Sequence, residues 1–109
     1  MNYNIKTISV FERQAKRLIK KYPSLKSEIT ELILSLKENP NQGVPLGRDC
    51  FKIRLAISSK GKGKSGGARI ITNIAILNKT VFLLSIFDKS EQENLSDKEI
   101  KDLIGLIGE

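Results

Sequence analysis

The sequence has no histidine and no tryptophan, one cysteine and three prolines. Without histidine, proton transfer near neutral pH falls to Lys, Asp, Glu or the hydroxyls, and a metal loses its commonest ligand. A lone cysteine, Cys50, forms no intrachain disulfide and no thiolate cluster. A small buried apolar residue is its expected role. No apolar run approaches the ~20 residues of a membrane span. Met1 to Lys6 lacks the basic start and apolar stretch of a signal peptide. The expectation is a cytoplasmic protein with no metal, no cofactor and no membrane partner. Aromatic residues make up only 6%, two Tyr and four Phe, and most fall at core positions. A platform for stacking single-stranded bases is therefore poorly supplied.

What is present is charge of one sign. Nineteen Lys and Arg face twelve Asp and Glu, a formal net charge of +7. A polyanionic partner fits that balance: nucleic acid, an acidic protein or an anionic surface. A basic protein without such a ligand has the same composition. The 109 residues, 39% hydrophobic, suit a single domain spanning 1–109 with one core.

Tyr3 to Ile8 reads as a short strand. Ser9-Val10-Phe11-Glu12 has the form of a capping box and should open a helix. Phe11, Ala15, Leu18, Ile19 and Tyr22 follow at helical spacing, with Arg13, Lys16, Arg17, Lys20 and Lys21 on the other face. Pro23 ends this helix. A second, from about Ser24 to Glu38, carries Leu25, Ile29, Leu32, Ile33 and Leu36 on one stripe and stops at Asn39-Pro40. Residues 41–49, with Gly43, Pro45 and Gly47, read as a connector. Phe51, Ile53, Leu55 and Ile57 then alternate with Lys52 and Arg54, a half-buried strand with a basic outer face. A loop rich in Gly, Ser and Lys covers Ser58 to Gly67. Ala68 to Leu77 and Val81 to Phe87 are two further strands, the last apolar enough to lie centrally. Ser96-Asp97-Lys98-Glu99 is a second capping box, opening a short last helix. The fold class is α+β: an N-terminal strand and helical hairpin packed on an antiparallel three-strand meander, with a short C-terminal helix.

Seven cations lie between Arg48 and Arg69: Arg48, Lys52, Arg54, Lys60, Lys62, Lys64 and Arg69, opposed only by Asp49. If Ile70, Thr72, Ile74 and Ile76 face inward, Arg69 faces outward beside Lys52 and Arg54 on an open sheet face. Fixed Arg forks and mobile loop lysines would suit a phosphodiester backbone. Arg48, Lys60, Lys62 and Lys64 are the expected RNA-binding cations. A solvated basic face is the alternative. Gly61-Lys62-Gly63-Lys64-Ser65-Gly66 matches a dinucleotide fingerprint by letter, but a strand follows where that motif needs a helix. Gly63-Lys64-Ser65 lacks the earlier glycine of a P-loop, so both matches are rejected. Cation crowding disfavours the ammonium of Lys64 and would make it a proton carrier; the alternative is a fully charged surface lysine. Asp88 and Lys89 end the last strand beside the expected face, where Asp88 either serves chemistry, pairs with Lys89 or caps a turn.

Cys50-Phe51-Lys52-Ile53-Arg54-Leu55, then Gly66-Gly67-Ala68-Arg69-Ile70-Ile71, then Phe82 through Glu91 together resemble the RelE/ParE toxin superfamily. The lysine–glycine loop and Glu91-Gln92-Glu93-Asn94-Leu95 look most like its RelE/HigB-like branch, across about the whole chain. The resemblance implies a microbial-ribonuclease-like fold and a toxin of a type II toxin–antitoxin system. It further implies a ribosome-dependent endoribonuclease: metal-independent attack by the RNA 2′-hydroxyl on messenger RNA in the decoding site, inhibiting translation. A cognate antitoxin is the implied protein partner. Lys52 and Arg54 match positions that contact the RNA backbone and contribute to catalysis. Arg69 matches the arginine that clamps the scissile phosphate.

The chain departs from that pattern where proton transfer is expected. Ser90 stands about where many relatives have a second arginine, and Leu95 or Ser96 where they have a tyrosine. Phe87-Asp88-Lys89 stands where HigB-type members have His or Tyr. Lys64, Asp88 and Lys89 are the expected substitutes, completing a catalytic set with Arg69, Lys52 and Arg54. Two other readings stay open: a ParE-like DNA gyrase inhibitor without nuclease activity, and a noncatalytic basic nucleic-acid-binding module.

Overall fold

The computed structural model describes residues 2–61 and 63–108, with the side chain of Lys64 excepted. Strand β1 (Asn4–Thr7) leads into helices α1 (Ser9–Lys21) and α2 (Leu25–Glu38). Strands β2 (Val44–Gly47), β3 (Cys50–Leu55), β4 (Ala68–Ala75) and β5 (Thr80–Asp88) follow, then helix α3 (Asp97–Ile104). The expected helical hairpin, strands and final helix all form, and the class is α+β.

The sheet is wider than the expected three-strand meander. Its order is β1-β5-β4-β3-β2, with β1 parallel to β5 and the other pairs antiparallel. Two elements account for the difference. The N-terminal strand joins the sheet edge, pairing Asn4 through Thr7 with Thr80 through Leu83. The expected connector supplies β2, which turns into β3 through Arg48 and Asp49 at φ 57° and 58°. Two left-handed central residues match the twist of a two-residue hairpin. Gly43, at φ +98°, passes close to Lys52, where a Cβ would stand 2.4 Å from its carbonyl oxygen.

Register partners share a face of a sheet. Ile53–Ile70–Ile86, Thr72–Leu83 and Ile74–Val81 therefore form one face, and all of these residues are buried. The helical hairpin covers it with Phe11, Leu18, Leu25, Ile29, Leu32 and Leu36. Each such side chain contributes about 1.5–3 kcal/mol by leaving water. A bulge at Leu84, skipped between the pairs Ile71–Ser85 and Thr72–Leu83, shifts the register within β5. Cys50 is buried as expected, at 1% exposure.

Three local readings need correction. Ser9 does not cap α1: its N-cap is Ile8 without a side-chain hydrogen bond, and the Thr7 hydroxyl donates to the Glu12 carboxylate. β4 stops at Ala75, so Ile76 is 61% exposed in the turn rather than inward. In the segment after β3 the described residues form short 3-10 turns at Ser58–Lys60 and Lys64–Gly66, and its entry is tied down rather than loose. Ser58 donates through its amide (2.8 Å) and its hydroxyl (2.7 Å) to Glu28 of α2.

The Thr72 hydroxyl oxygen is buried with no hydrogen-bond partner among the described residues. Removing a buried unsatisfied polar group costs nothing in lost bonding and saves desolvation. Thr72→Val should raise unfolding stability by about 1 kcal/mol in urea titrations; a loss would mean the hydroxyl is satisfied.

Candidate nucleic-acid interface

Alternation along β3 puts Lys52 and Arg54 on the sheet face opposite the helical hairpin. Register completes two rows there: Arg54–Arg69–Phe87 and Lys52–Ile71–Ser85. Arg69 thus shares a face with Lys52 and Arg54, as parity implies. It is not open, however. Arg54 is exposed, whereas Arg69 is only 3% exposed. Arg69 sits on an inner strand, and the segment before β4 closes over it. Its guanidinium donates from Nη1 to the Ala68 carbonyl (3.1 Å) and from Nη2 to the Ser65 carbonyl (3.3 Å). Gly67 permits this approach, because a Cβ there would stand 2.1 Å from the Leu55 carbonyl oxygen.

Burial, and then the neighbouring charge of Arg54, push the Arg69 pKa down from its ordinary value. A guanidinium stays protonated regardless. The row therefore sets two like charges at opposed register positions, and the charge of Arg54 works against that of Arg69. An anion beside the two would relieve that opposition.

Beside this row, half-buried Lys52 donates from Nζ to Asn94 Oδ1 at 2.6 Å. Asn94 lies just before α3, whose N-terminus is fixed by the expected capping box: Ser96 Oγ accepts from the Glu99 amide and the Glu99 carboxylate accepts from the Ser96 amide. Arg48 is drawn into the same junction. Its Nε and Nη2 donate to Asp97 at 3.3 and 3.2 Å, both side chains remaining exposed. Those bonds, then the Arg48 charge, hold the Asp97 carboxyl below its ordinary range. Arg48 thus commits part of its charge to the start of α3 in an exposed pair of little net stability, while its side chain stays open to solvent. Next to the junction, a cleft of about 250 Å³ between α3 and β5 is lined by residues including Gln14, Ser85, Leu95 and Leu103.

The remaining candidates divide. Asp88 follows Phe87 in β5 and so points to the opposite face, where it is fully buried. Its Oδ1 pairs with Lys60 Nζ at 2.5 Å and accepts from the Ser90 amide (2.9 Å) and hydroxyl (2.8 Å); Oδ2 accepts from the Tyr22 hydroxyl at 2.8 Å. Burial alone would push this carboxyl up, but donors from Lys60, Ser90 and Tyr22 outweigh it and hold it well below the ordinary carboxylate range. Asp88 is therefore an ion-paired carboxylate buried on the face away from the cation row. Lys60, expected as a mobile RNA-binding cation, is 10% exposed and committed to that pair. Lys89 is half-exposed at the end of β5, its amide donating to the Gly67 carbonyl at 3.0 Å. Lys62 and the side chain of Lys64 lie outside the described residues. Sequence reasoning missed Asn94, Tyr22 and Glu28 as anchors. Helical spacing had assigned Tyr22 to the core, and nothing local signals that Tyr22 and Asp88, 66 residues apart, are partners.

The family model described as "RelE toxin of RelE / RelB toxin-antitoxin system" matches residues 6–106. A double arginine-to-alanine mutant of the E. coli toxin RelE in the free state superposes with a TM-score of 0.62 at 16% identity, covering 98% of this chain and 99% of that one. The RelBE2 toxin–antitoxin complex from Mycobacterium tuberculosis gives 0.62 at 20% identity, covering 81% and 99%. The intact E. coli RelBE complex gives 0.51 at 21% identity, covering 79% and 95%.

The buried pair makes stability pH-dependent. A carboxyl depressed on folding contributes fully above its unfolded value of roughly 3.9, and that contribution is lost as pH falls towards the folded value. Asp88→Asn should cost about 3–5 kcal/mol at pH 7, because Lys60 is left buried and unpaired. In denaturant titrations the gap from wild type should narrow below about pH 4; a constant gap down to about pH 2 would contradict the pairing.

Proposed function

Because the chain belongs to the RelE toxin family of toxin–antitoxin systems, we propose that it cuts messenger RNA held in the ribosomal decoding site and thereby inhibits translation. The observation that carries this reading is the Arg54–Arg69 row with Lys52 beside it. The geometry suits transesterification without a metal. The RNA 2′-hydroxyl attacks the adjacent phosphorus, the bond to the 5′ oxygen breaks, and a 2′,3′-cyclic phosphate and a 5′-hydroxyl remain. Negative charge builds on the non-bridging oxygens as the fifth bond forms. Arg54, reaching from the exposed side, would bond those oxygens, and Arg69, only 3% exposed and rigidly held beneath it, would complete the clamp through its charge, which is set before the reaction and needs little reorganisation. The ammonium of Lys52, steadied by Asn94, would stabilise the departing oxygen. With Asp88 buried, Lys64 and Lys89 remain the proposed proton carriers, and Lys62 and Lys64 the proposed loop contacts to the backbone.

The proposed protein partner is a cognate antitoxin. An acidic or amphipathic segment of such a partner would cover the cation face and mask the toxin.

The test is induction in a bacterium with transcript ends mapped. Cuts inside translated codons should appear, and vanish when translation is blocked. Arg69→Ala should lower cleavage by about 10²–10³-fold, the scale for losing one charge-stabilising donor. Arg69→Lys should restore little, since a point charge does not reproduce the fork. Intact transcripts with DNA-damage signalling would replace this reading with gyrase inhibition.

A further inference from the structure

The ion pair Lys60–Asp88 lies on the hairpin side of the sheet, yet it is joined to the Arg69 guanidinium by two short routes. In the first, Ala68 is the register partner of Asp88, and the Ala68 carbonyl accepts from Arg69 Nη1 at 3.1 Å. In the second, Lys60 precedes Ser65 in the same short β3–β4 connection, and the Ser65 carbonyl accepts from Arg69 Nη2 at 3.3 Å. The segment then rejoins the sheet where the Gly67 carbonyl takes the Lys89 amide at 3.0 Å, one residue beyond Asp88. The Ala68 and Ser65 carbonyls, two of the groups that hold the Arg69 guanidinium, thus belong to segments that Lys60 and Asp88 draw together.

The composition of the intervening chain makes such a tie necessary. From Gly61 to Gly67 there are four glycines, two lysines and a serine, and no apolar side chain to anchor in the core. Gly61 reverses the chain at φ 75°. Upstream, Glu28 holds Ser58, and the Ser59 amide donates to the Ser24 hydroxyl at 2.9 Å, so the start of α2 fixes the entry of the segment as far as Ser59. Lys60 is the last side chain before the glycine-rich stretch, and it is clamped by Asp88, by the Ser90 hydroxyl at 3.3 Å, and over the Tyr22 ring at 5.6 Å from the centroid. Buried ion pairs give little net stability against an apolar replacement. What this one supplies is a fixed separation between the segment and the end of β5.

We propose that Lys60 and Asp88 are positioning residues that set the direction of the Arg69 guanidinium across the sheet. The inference rests on reading Arg69 as the phosphate clamp. Neither residue touches RNA. Their effect passes through the Ser65 and Ala68 carbonyls, so it belongs to the rate of the cleavage step rather than to RNA affinity.

The test uses the double substitution Lys60→Met with Asp88→Asn. It removes both charges together, while the amide that replaces the carboxylate keeps a neutral partner for Tyr22 and Ser90. On ribosomes programmed with a cleavable message, kcat should fall by about 10–100-fold with KM within about twofold, the effect expected of a displaced clamp. Lys60→Arg, which keeps the charge, should recover most of the rate. Nitrogen-15 spectra of the arginine Nε–H groups give a second readout that needs no cleavage. Wild-type Arg69 should show a single solvent-protected signal, and the double variant should lose that protection while far-ultraviolet circular dichroism stays unchanged. A double variant that cuts at the wild-type rate, or retains the protected signal, overturns the inference. A wild-type protein that leaves messages intact on ribosomes defeats the nuclease reading instead, and the spectra still decide whether the pair positions Arg69.

Discussion

One constraint underlies the site: the β3–β4 register places Arg54 and Arg69 opposite one another in a single sheet row. Folding alone would disperse such charges. Here the β3–β4 register aligns them, and the segment before β4 covers one of the two. Arg69 is buried and held by backbone carbonyls, while Arg54 stays exposed. One cation is thus rigid and the other can close on a ligand. A phosphate held by Arg54 above Arg69 would replace repulsion by attraction to both charges.

The two faces of the sheet divide the labour. The hairpin face is apolar apart from a few polar groups, and its packing supplies the stability. The other face carries the row of cations and is bordered by α3, which the Ser96–Glu99 capping box and the Arg48–Asp97 pair hold in place. The Lys60–Asp88 clasp links the faces: it is buried beneath the hairpin, yet it anchors the segment that reaches over the sheet end to Arg69. A charged clasp is an expensive anchor by desolvation, and its value lies in geometry.

Much of this was legible in the sequence, and the failures share a cause. Strict alternation in β3 revealed the shared face of Lys52 and Arg54, and parity added Arg69. Its burial was not legible, because that depends on where the segment between β3 and β4 crosses the sheet. The parallel pairing of β1 with β5 joins Asn4 to Thr80, and no local pattern encodes so distant a contact. The residues Gly43, Pro45 and Gly47 concealed β2, since they break propensity without preventing an edge strand. The two capping-box sequences are instructive together. Ser96–Glu99 forms the box, whereas at Ser9–Glu12 the Thr7 hydroxyl takes the Glu12 carboxylate first. Asp88 was misplaced because its cation, Lys60, stands 28 residues away, while Lys89 is adjacent in sequence.

The most direct measurement is thermal unfolding of wild type and Arg54→Gln at low ionic strength, each with and without a 2′-O-methyl RNA oligonucleotide. If the guanidinium row is strained in the free protein and relieved by phosphate, the variant melts a few degrees above wild type without RNA. Wild type then gains more from the oligonucleotide than the variant does. A variant that melts at or below wild type, with equal gains from RNA, would contradict the account.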